Sequence, residues 1–193
     1  MKNGSPYHHG DLKSELVRIG LCDIEEKGAA GLSLREAAEK AGVSKNAPYR
    51  HFKNKDLYLG ALASEGFRLL YTRMEAAVSG GQENNRKEAI SEMGKQYMRF
   101  AVERPALYRL MSSPLVCTLP DEKTYWPRKA LLFLASVLTG KADASEIQDH
   151  DKTVAAWAYI HGLTMLRIDN LYPEDLPQPD WEKLAQQAAG FFK

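Results

Sequence analysis

Apolar residues recur three and four positions apart along nearly the whole chain, which is the spacing of one face of an α-helix. Sustained apolar–polar alternation, the mark of a half-buried strand, is weak, and no Asn-Gly or Asp-Gly turn separates two apolar runs. The pattern therefore predicts an all-α protein. The predicted helices cover about residues 11–27, 33–41, 44–50, 55–78, 85–102, 105–111, 122–138, 144–170 and 180–192, with a loop at 113–120.

Residues that favour helix ends fix several of these boundaries. Ser33 and Glu36 form an S-x-x-E capping box, and Asn54 is a second N-cap. Gly28 stands where a left-handed residue commonly ends a helix. Pro127 is expected either to kink its helix or to mark the true first turn.

The second and third predicted helices are separated by only two residues, which is the arrangement of a helix-turn-helix unit. Gly42 makes the turn and Val43 fills the junction. Tyr49 and Phe52 are expected to anchor the short third helix in the core. Small apolar residues on the inward face of the second helix allow a close crossing: Leu34, Ala37, Ala38 and Ala41.

Positive charge is concentrated at this unit. The whole chain carries a net charge of only +1, so a nucleic-acid site has to be local. Residues 44–56 contain Lys45, Arg50, Lys53 and Lys55 against the single acidic residue Asp56. This distribution favours DNA binding, although two packed surface helices with a solvated charged face would show the same pattern.

The chemistry of the third helix suits a DNA groove. Ser44 is the predicted N-cap, which would direct free backbone N–H groups toward phosphate. Lys45 and Asn46 follow where recognition helices meet base edges, and Ala47 can contact a thymine methyl group. Pro48 lacks an N–H group, so the first turn is predicted to be distorted or tightened.

Three further side chains are candidates for phosphate contacts. Tyr49 and His51 can donate hydrogen bonds, and Lys55 lies in the first turn of the next helix.

The segment from about residue 11 to residue 60 resembles the N-terminal domain of TetR-family transcriptional regulators. The matching residues are Gly28, Leu32, Ser33, Leu34, Arg35, Ala37, Ala38, Ala41, Gly42, Val43, Ser44, Tyr49, His51, Phe52, Lys55 and Leu57. The residues Tyr7–Asp11, and later Trp157 with His161 and Gly162, resemble a branch of the family named for a Trp-His-Gly signature.

This resemblance implies a set of DNA-contacting residues: Ser33, Arg35, Ser44, Lys45, Asn46, Ala47, Tyr49, His51 and Lys55. The family commonly has glycine where this chain has Asn46, which leaves the base preference open. Arg35 can alternatively pair with Glu39, and the ring of Tyr49 can belong mostly to the core.

The second half of the chain holds apolar, adaptable side chains that suit either a core or a ligand cavity. The candidates are Tyr97, Phe100, Tyr108, Met111, Trp126, Trp157, His161 and Met165. For His161 the alternatives are a hydrogen-bonded core histidine and a pocket group that senses ligand or pH.

The final helix carries one apolar stripe that suits burial against another helix, in the same subunit or in a second copy. TetR-like proteins dimerise through their last two long helices, so the resemblance favours a dimer interface. Its candidate residues are Ala155, Ala156, Tyr159, Leu163, Trp181, Leu184, Ala188 and Phe192.

Other functional classes find little support. The chain lacks G-x-S-x-G, H-E-x-x-H, P-loop and G-x-G-x-x-G motifs, so no enzyme and no cofactor are predicted. His8, His9 and Asp11 are a poor metal site, because adjacent histidines point in different directions. Cys22 and Cys117 are expected to be free thiols in a reducing, cytoplasmic setting. The apolar run at 130–138 is too short for a membrane span.

These observations predict two domains: a three-helix helix-turn-helix DNA-binding domain at 1–54 and a helical effector-binding and dimerisation domain at 55–193. The predicted function is that of a homodimeric repressor released from a palindromic operator in double-stranded DNA by a small, largely apolar effector. An activator is a variant of this prediction. The alternatives are a helical dimeric protein-interaction module without DNA function and a small helical enzyme.

Overall fold

The computed structural model describes residues 12–79, 86–117, 121–140 and 150–191, and no residue in these ranges belongs to a β-strand. The described chain is almost entirely helical, as its periodicity predicts. The α-helices are α1 (Leu12–Gly31), α2 (Leu34–Lys40), α3 (Lys55–Ser79), α4 (Arg86–Glu103), α5 (Pro105–Met111), α6 (Pro114–Cys117), α7 (Asp121–Thr139), α8 (His150–Ile168) and α9 (Trp181–Phe191), with a 3₁₀ helix at Ala47–Arg50.

Three boundaries differ from the prediction. Gly28 interrupts α1 with φ 63° and ψ 168°, but helical residues continue to Gly31. Helix α6 occupies part of the segment predicted as a loop. Pro127 lies inside α7, so it does not mark that helix's first turn. A proline removes one backbone hydrogen bond, which a long helix packed on its neighbours can lose without ending there.

The third predicted helix is reduced to one 3₁₀ turn. Its N-cap is Asn46, so the prediction that Ser44 caps this short helix is wrong. The N–H of Ala47 donates to the carbonyl of Ser44 at 2.9 Å, and that of Tyr49 donates to Asn46 at 3.3 Å. This three-residue spacing is the tightening expected from Pro48, which cannot donate a backbone hydrogen bond.

Helix α3 is the central element of the fold. Its first turns pack on α1, where the hydroxyl of Tyr58 donates to the carbonyl of Leu16 at 2.8 Å. A side chain at Gly20 would collide with that hydroxyl and with Leu62, so the absence of a Cβ atom permits this close crossing. Farther along, α3 packs against α4, α5 and α7.

The last helix lies across α4 at a second close crossing. A Cβ atom at Gly94 would lie 2.7 Å from the carbonyl oxygen of Ala185, which is itself fully buried. The guanidinium of Arg99 reinforces the crossing by two hydrogen bonds to Glu182, at 2.9 and 3.0 Å. Contact between α4 and α9 therefore depends on a glycine in α4.

Two classes of feature are absent from the described ranges. No helix there combines the length and the hydropathy of a membrane span. The same residues contain no group of three or more His, Cys, Asp and Glu side chains able to hold a metal ion. The histidines at positions 8 and 9 lie outside the described residues.

The crossing at Gly94 generates a stability prediction. Gly94→Ala should lower the free energy of unfolding by about 1–2 kcal/mol, since overpacking against a backbone carbonyl outweighs the better helix propensity of alanine. Urea unfolding followed by circular dichroism measures the change. Gly190→Ala in α9 is the matched control, because no other helix of the described chain lies within 4 Å of the position of its added methyl group. Equal or greater stability of Gly94→Ala would contradict the packing described.

Candidate nucleic-acid interface and ligand cavity

The helix-turn-helix unit is shaped by a side-chain cap at the start of α2 and by a glycine at its turn. Ser33 is the N-cap of α2, and its Oγ accepts from the N–H of Arg35 at 3.3 Å. Glu36 does not close a capping box, since its carboxylate pairs with Lys27 at 2.5 Å. After α2 the chain turns at Gly42, which has φ 68°. The left-handed backbone required there is one that glycine adopts without strain.

The 3₁₀ turn is anchored by Pro48 and Phe52, both of which are buried. Tyr49, in contrast, has 43% of its surface exposed, so the expectation that it anchors the core is wrong. Adjacent residues of a 3₁₀ helix point about 120° apart. With Pro48 facing inward, Tyr49 is turned toward solvent.

Most of the side chains expected to contact DNA are accessible to solvent. The exposed residues are Arg35, Ser44, Lys45, Asn46, Tyr49 and His51, whereas Ser33 and Ala47 are half-buried. Lys55 departs from this arrangement, because its Nζ donates to the carbonyl of Ala30 at 2.5 Å. This bond ties the start of α3 to the end of α1, so Lys55 has a structural role whether or not it meets phosphate.

The cations of this unit divide into two groups. Three cations of α1 and α2 are neutralised by carboxylates: Arg18 by Glu15, Lys27 by Asp23 and Glu36, and Lys40 by Asp23. Around the turn and the 3₁₀ helix, Arg35, Lys45, Arg50 and Lys53 are exposed and form no ion pair with any residue that the structure describes. Exposed cations without a carboxylate partner among the described residues thus predominate in the second half of the unit, and in α1 only Lys13 is of this kind.

Arg50 and Lys53 were counted as local positive charge in the sequence but not singled out as contact residues. The structure leaves both exposed beside His51. The excess of basic residues over 44–56 was the signal that could have identified them.

A cavity of about 370 Å³ lies beyond the helix-turn-helix unit, between α3, α4, α7 and α8, with residues of α5 and α6 on its wall. Its volume falls in the range of about 300–1,000 Å³ typical of small-molecule sites. The lining residues are Phe67, Leu70, Met74, Ile90, Met93, Gly94, Tyr97, Met111, Ser112, Ser113, Val116, Pro127, Arg128, Ala130, Leu131, Leu134, Ala156, Trp157 and Ile160.

Three of the predicted pocket residues line this cavity: Tyr97, Met111 and Trp157. The other five lie elsewhere. Phe100 and Tyr108 are fully buried in the core, and Trp126 packs on Tyr71 with ring centroids 5.7 Å apart. Met165 also packs against the core, and His161 is hydrogen-bonded to Tyr108 without lining the cavity. Many of the remaining lining residues are aliphatic, and aliphatic side chains are equally common in a core, so their type does not distinguish a cavity wall.

A chain of hydrogen bonds leads from the cavity wall to α8. The hydroxyl groups of Tyr97 and Tyr108 are 2.8 Å apart, and the Tyr108 hydroxyl lies 2.6 Å from Nδ1 of His161. A neutral His161 can accept from Tyr108, which in turn can accept from Tyr97. Burial lowers the pKa of His161 and raises that of Tyr108, so both groups are held neutral near pH 7.

The residues predicted at a dimer interface are divided between surface and core. Ala155 is exposed, but Ala156 is 6% exposed and packs within the subunit, so it is corrected to a core residue. Tyr159 donates its hydroxyl hydrogen to the carbonyl of Leu184 at 3.1 Å, which joins α8 to α9. Leu163, Trp181 and Leu184 are half-buried. The side chains of Ala188 and Phe192 lie outside the described residues.

Comparison with known proteins identifies the family. The model titled "Tetracyclin repressor-like, C-terminal domain" matches residues 90–190, more than half of the chain. The model titled "Bacterial regulatory proteins, tetR family" matches residues 24–61. The chain belongs to the TetR family. The second match includes the helix-turn-helix unit, so the resemblance seen in the sequence is confirmed at the level of the family.

Individual relatives are distant. An HTH-type transcriptional regulator of Mycobacterium tuberculosis is 25% identical over 100 residues, which are 52% of this chain and 43% of that protein. The TetR chain thus aligns with less than half of that relative. A protein of unknown function from Rhodococcus sp. RHA1 superposes with a TM-score of 0.77 at 26% identity, covering 98% of this chain and 97% of the other.

A third similar structure is AibR in complex with isovaleryl coenzyme A and operator DNA. It has a TM-score of 0.60 and 18% identity, covering 94% of this chain and 98% of AibR. At this identity the similarity shows a shared fold.

The lowered pKa of the half-buried His161 predicts a pH dependence of stability. Because the pKa of His161 is lowered from 6.5 in the folded state, the unfolded chain binds a proton more readily, and stability falls as the pH drops below about 6.5. Urea midpoints measured near pH 7.5 and near pH 5.5 should differ less in His161→Gln than in the unaltered chain. His51→Gln is the control, since His51 is exposed. An undiminished difference in His161→Gln would contradict this assignment.

Proposed function

We propose that the protein is a homodimeric DNA-binding transcriptional repressor that a small, largely apolar effector releases from a palindromic operator. The observation that carries the proposal is the group of exposed cations around the turn and 3₁₀ helix, which pair with no carboxylate in the described part of the chain. Phosphate contacts require such charges, while the exposed Asn46 between them has the two-point hydrogen-bonding geometry that reads adenine.

A row of exposed small and apolar residues on α8 supports the proposal that the protein is a dimer. Ala155, Ala158 and Gly162 are exposed at helical spacing, followed by Leu166 with 39% of its surface exposed. No atom lies within 4 Å of the position of a Cβ atom at Gly162, so its small size is not explained by a crossing within the described subunit. A second copy of α8 that crosses at this glycine accounts for the small residues, as an isologous interface would.

The link between cavity and reading unit is proposed to run through Glu25 of α1. Its carboxylate accepts from the N–H groups of Ala106 and Leu107 at 2.9 and 3.3 Å, and it pairs with Arg104 at 3.1 Å. Arg104 also donates to the carbonyl of Leu21 at 2.6 Å. The first turn of α5 is thereby fastened to α1.

The same short helix ends at Met111 on the cavity wall. A ligand that displaces α5 therefore displaces α1, provided that it binds the displaced arrangement more tightly than the DNA-bound one. AibR, which has the same fold, is described in a complex with both a ligand and operator DNA.

Selection of bound duplexes from a random pool by the purified chain, at physiological salt, tests DNA recognition. Recovery of a palindrome with half-sites about 34–36 Å apart is the expected result for a dimeric helix-turn-helix protein. A folded protein that enriches no sequence would favour the protein-interaction module.

Substitutions should separate the residues that read bases from those that contact phosphate. Asn46→Ala is expected to weaken operator binding by about 1–3 kcal/mol and to relax base preference at one position. Lys53→Ala should weaken binding to all sequences alike and lower the salt slope by about 1.

Fluorescence anisotropy across a salt series measures both effects. Arg18→Gln is the control, since it removes an exposed cation that already pairs with Glu15. Identical effects of Asn46→Ala and Lys53→Ala on every sequence would refute the division into base and phosphate contacts.

The proposed interface predicts the oligomeric state. Gly162→Arg should shift the protein from dimer to monomer, because a long charged side chain cannot be accommodated at a close helix crossing. Sedimentation equilibrium measures the change. Val102→Arg on α4, which replaces another exposed residue, should remain dimeric. A dimer that survives Gly162→Arg unchanged places the interface elsewhere.

A further inference from the structure

We propose that the ligand of the cavity is a carboxylate with an extended apolar body, and that Arg128 at the cavity wall binds its anionic group. This inference rests on the proposed function in taking the cavity as the effector site. It adds the charge of the ligand and the residue that recognises it.

The cavity is suited to an apolar body. Most of its wall consists of aliphatic, methionine and aromatic side chains, including Leu70, Met74, Met93 and Phe67. Methionine side chains adapt to irregular apolar shapes. The polar lining groups other than Arg128 are few, namely Tyr97, Ser112, Ser113 and Trp157.

Two of these polar groups are already engaged within the protein. The Tyr97 hydroxyl is hydrogen-bonded to Tyr108, and the Ser113 hydroxyl donates to the carbonyl of Leu110 at 2.7 Å. Neither hydroxyl carries a charge that would select an ion. Specificity for a charged ligand therefore has to come from Arg128.

Arg128 is the one charged residue among those that line the cavity within the described chain. It forms no ion pair with any described carboxylate, whereas Arg68, Arg73, Arg99, Arg104 and Arg109 each do. A guanidinium group cannot lose its proton near neutral pH, so its charge persists when a ligand covers it. Arg128 is exposed, so its charge needs no partner within the free protein and is available to pair with an anionic ligand group.

The neighbouring cation, Lys129, interacts with aromatic rings and not with the cavity. Lys129 directs its ammonium group onto aromatic rings, with Nζ 4.5 Å from the centroid of Tyr71 and 4.7 Å from that of Trp126. It does not line the cavity. Two successive residues of α7 thus carry the same charge, but only Arg128 presents it to the cavity.

A carboxylate suits a single guanidinium group beside an apolar cavity better than a neutral or a cationic ligand group does. It pairs with guanidinium through two parallel hydrogen bonds, which a neutral hydroxyl group cannot do. A cationic ligand would be repelled. The apolar body enters the aliphatic interior while the carboxylate stays with Arg128.

Isothermal titration calorimetry of the full chain with decanoate, decanol and decylamine tests this proposal. Decanoate should bind about tenfold more tightly than decanol, as expected for one charge-assisted interaction, and decylamine most weakly. Arg128→Gln should remove the preference for decanoate while decanol still binds, which shows that the variant is folded. Lys129→Gln, the matched loss of charge, should retain the preference.

Three results would overturn the inference: no binding of decanoate, equal affinity for decanoate and decanol, or an undiminished preference in Arg128→Gln. Failure of the proposed function is distinguishable from these. If decanoate binds in the Arg128-dependent way but leaves DNA binding unchanged, the ligand assignment stands and release by the effector does not.

Discussion

Helix α3 contributes side chains to two packed regions at once, and the rest of the structure depends on this shared element. Near its start Tyr58 packs against α1, where Gly20 leaves room for the tyrosine hydroxyl. Farther along the same helix Phe67, Leu70 and Met74 form part of the cavity wall. At 1.5 Å per residue α3 is about 37 Å long. One helix therefore joins the cavity wall to the packing of the helix-turn-helix unit.

The contact between α1 and α5 adds a second connection. It consists of directed hydrogen bonds from Arg104, Ala106 and Leu107 to one carboxylate, that of Glu25. Apolar packing tolerates small sliding movements, whereas a carboxylate that accepts two backbone N–H groups fixes position and angle. In the proposed mechanism, movement of α5 is passed to α1 through this contact.

The sequence predicted local features well and tertiary placement poorly. The N-cap predicted at Asn54 is confirmed, because its Oδ1 accepts from the N–H of Leu57 at 2.9 Å. This hydrogen bond joins residues only three positions apart, so it depends on local sequence. The tightening at Pro48 was likewise a local consequence of a missing N–H. The prediction that Tyr49 is a core residue failed because the 3₁₀ turn rotates its side chain toward solvent. The direction of that rotation cannot be predicted from the neighbouring residue types.

The cavity and its chemistry could not be predicted in the same way. Its wall is assembled from six helices, so whether Phe100 or Phe67 faces it depends on how distant segments pack. In a sequence of nearly balanced charge, nothing distinguishes Arg128 from the other surface cations. The requirement for Gly94 becomes apparent only when α9 is seen against α4.

The central claim is that occupancy of the cavity reaches the DNA-reading unit through Glu25. Operator affinity measured with and without saturating decanoate, in the unaltered chain and in Glu25→Ala, tests it most directly. We predict that decanoate weakens operator binding in the unaltered chain and does so much less in Glu25→Ala, although both bind decanoate equally well. An equal loss of operator affinity in the two proteins would contradict the account.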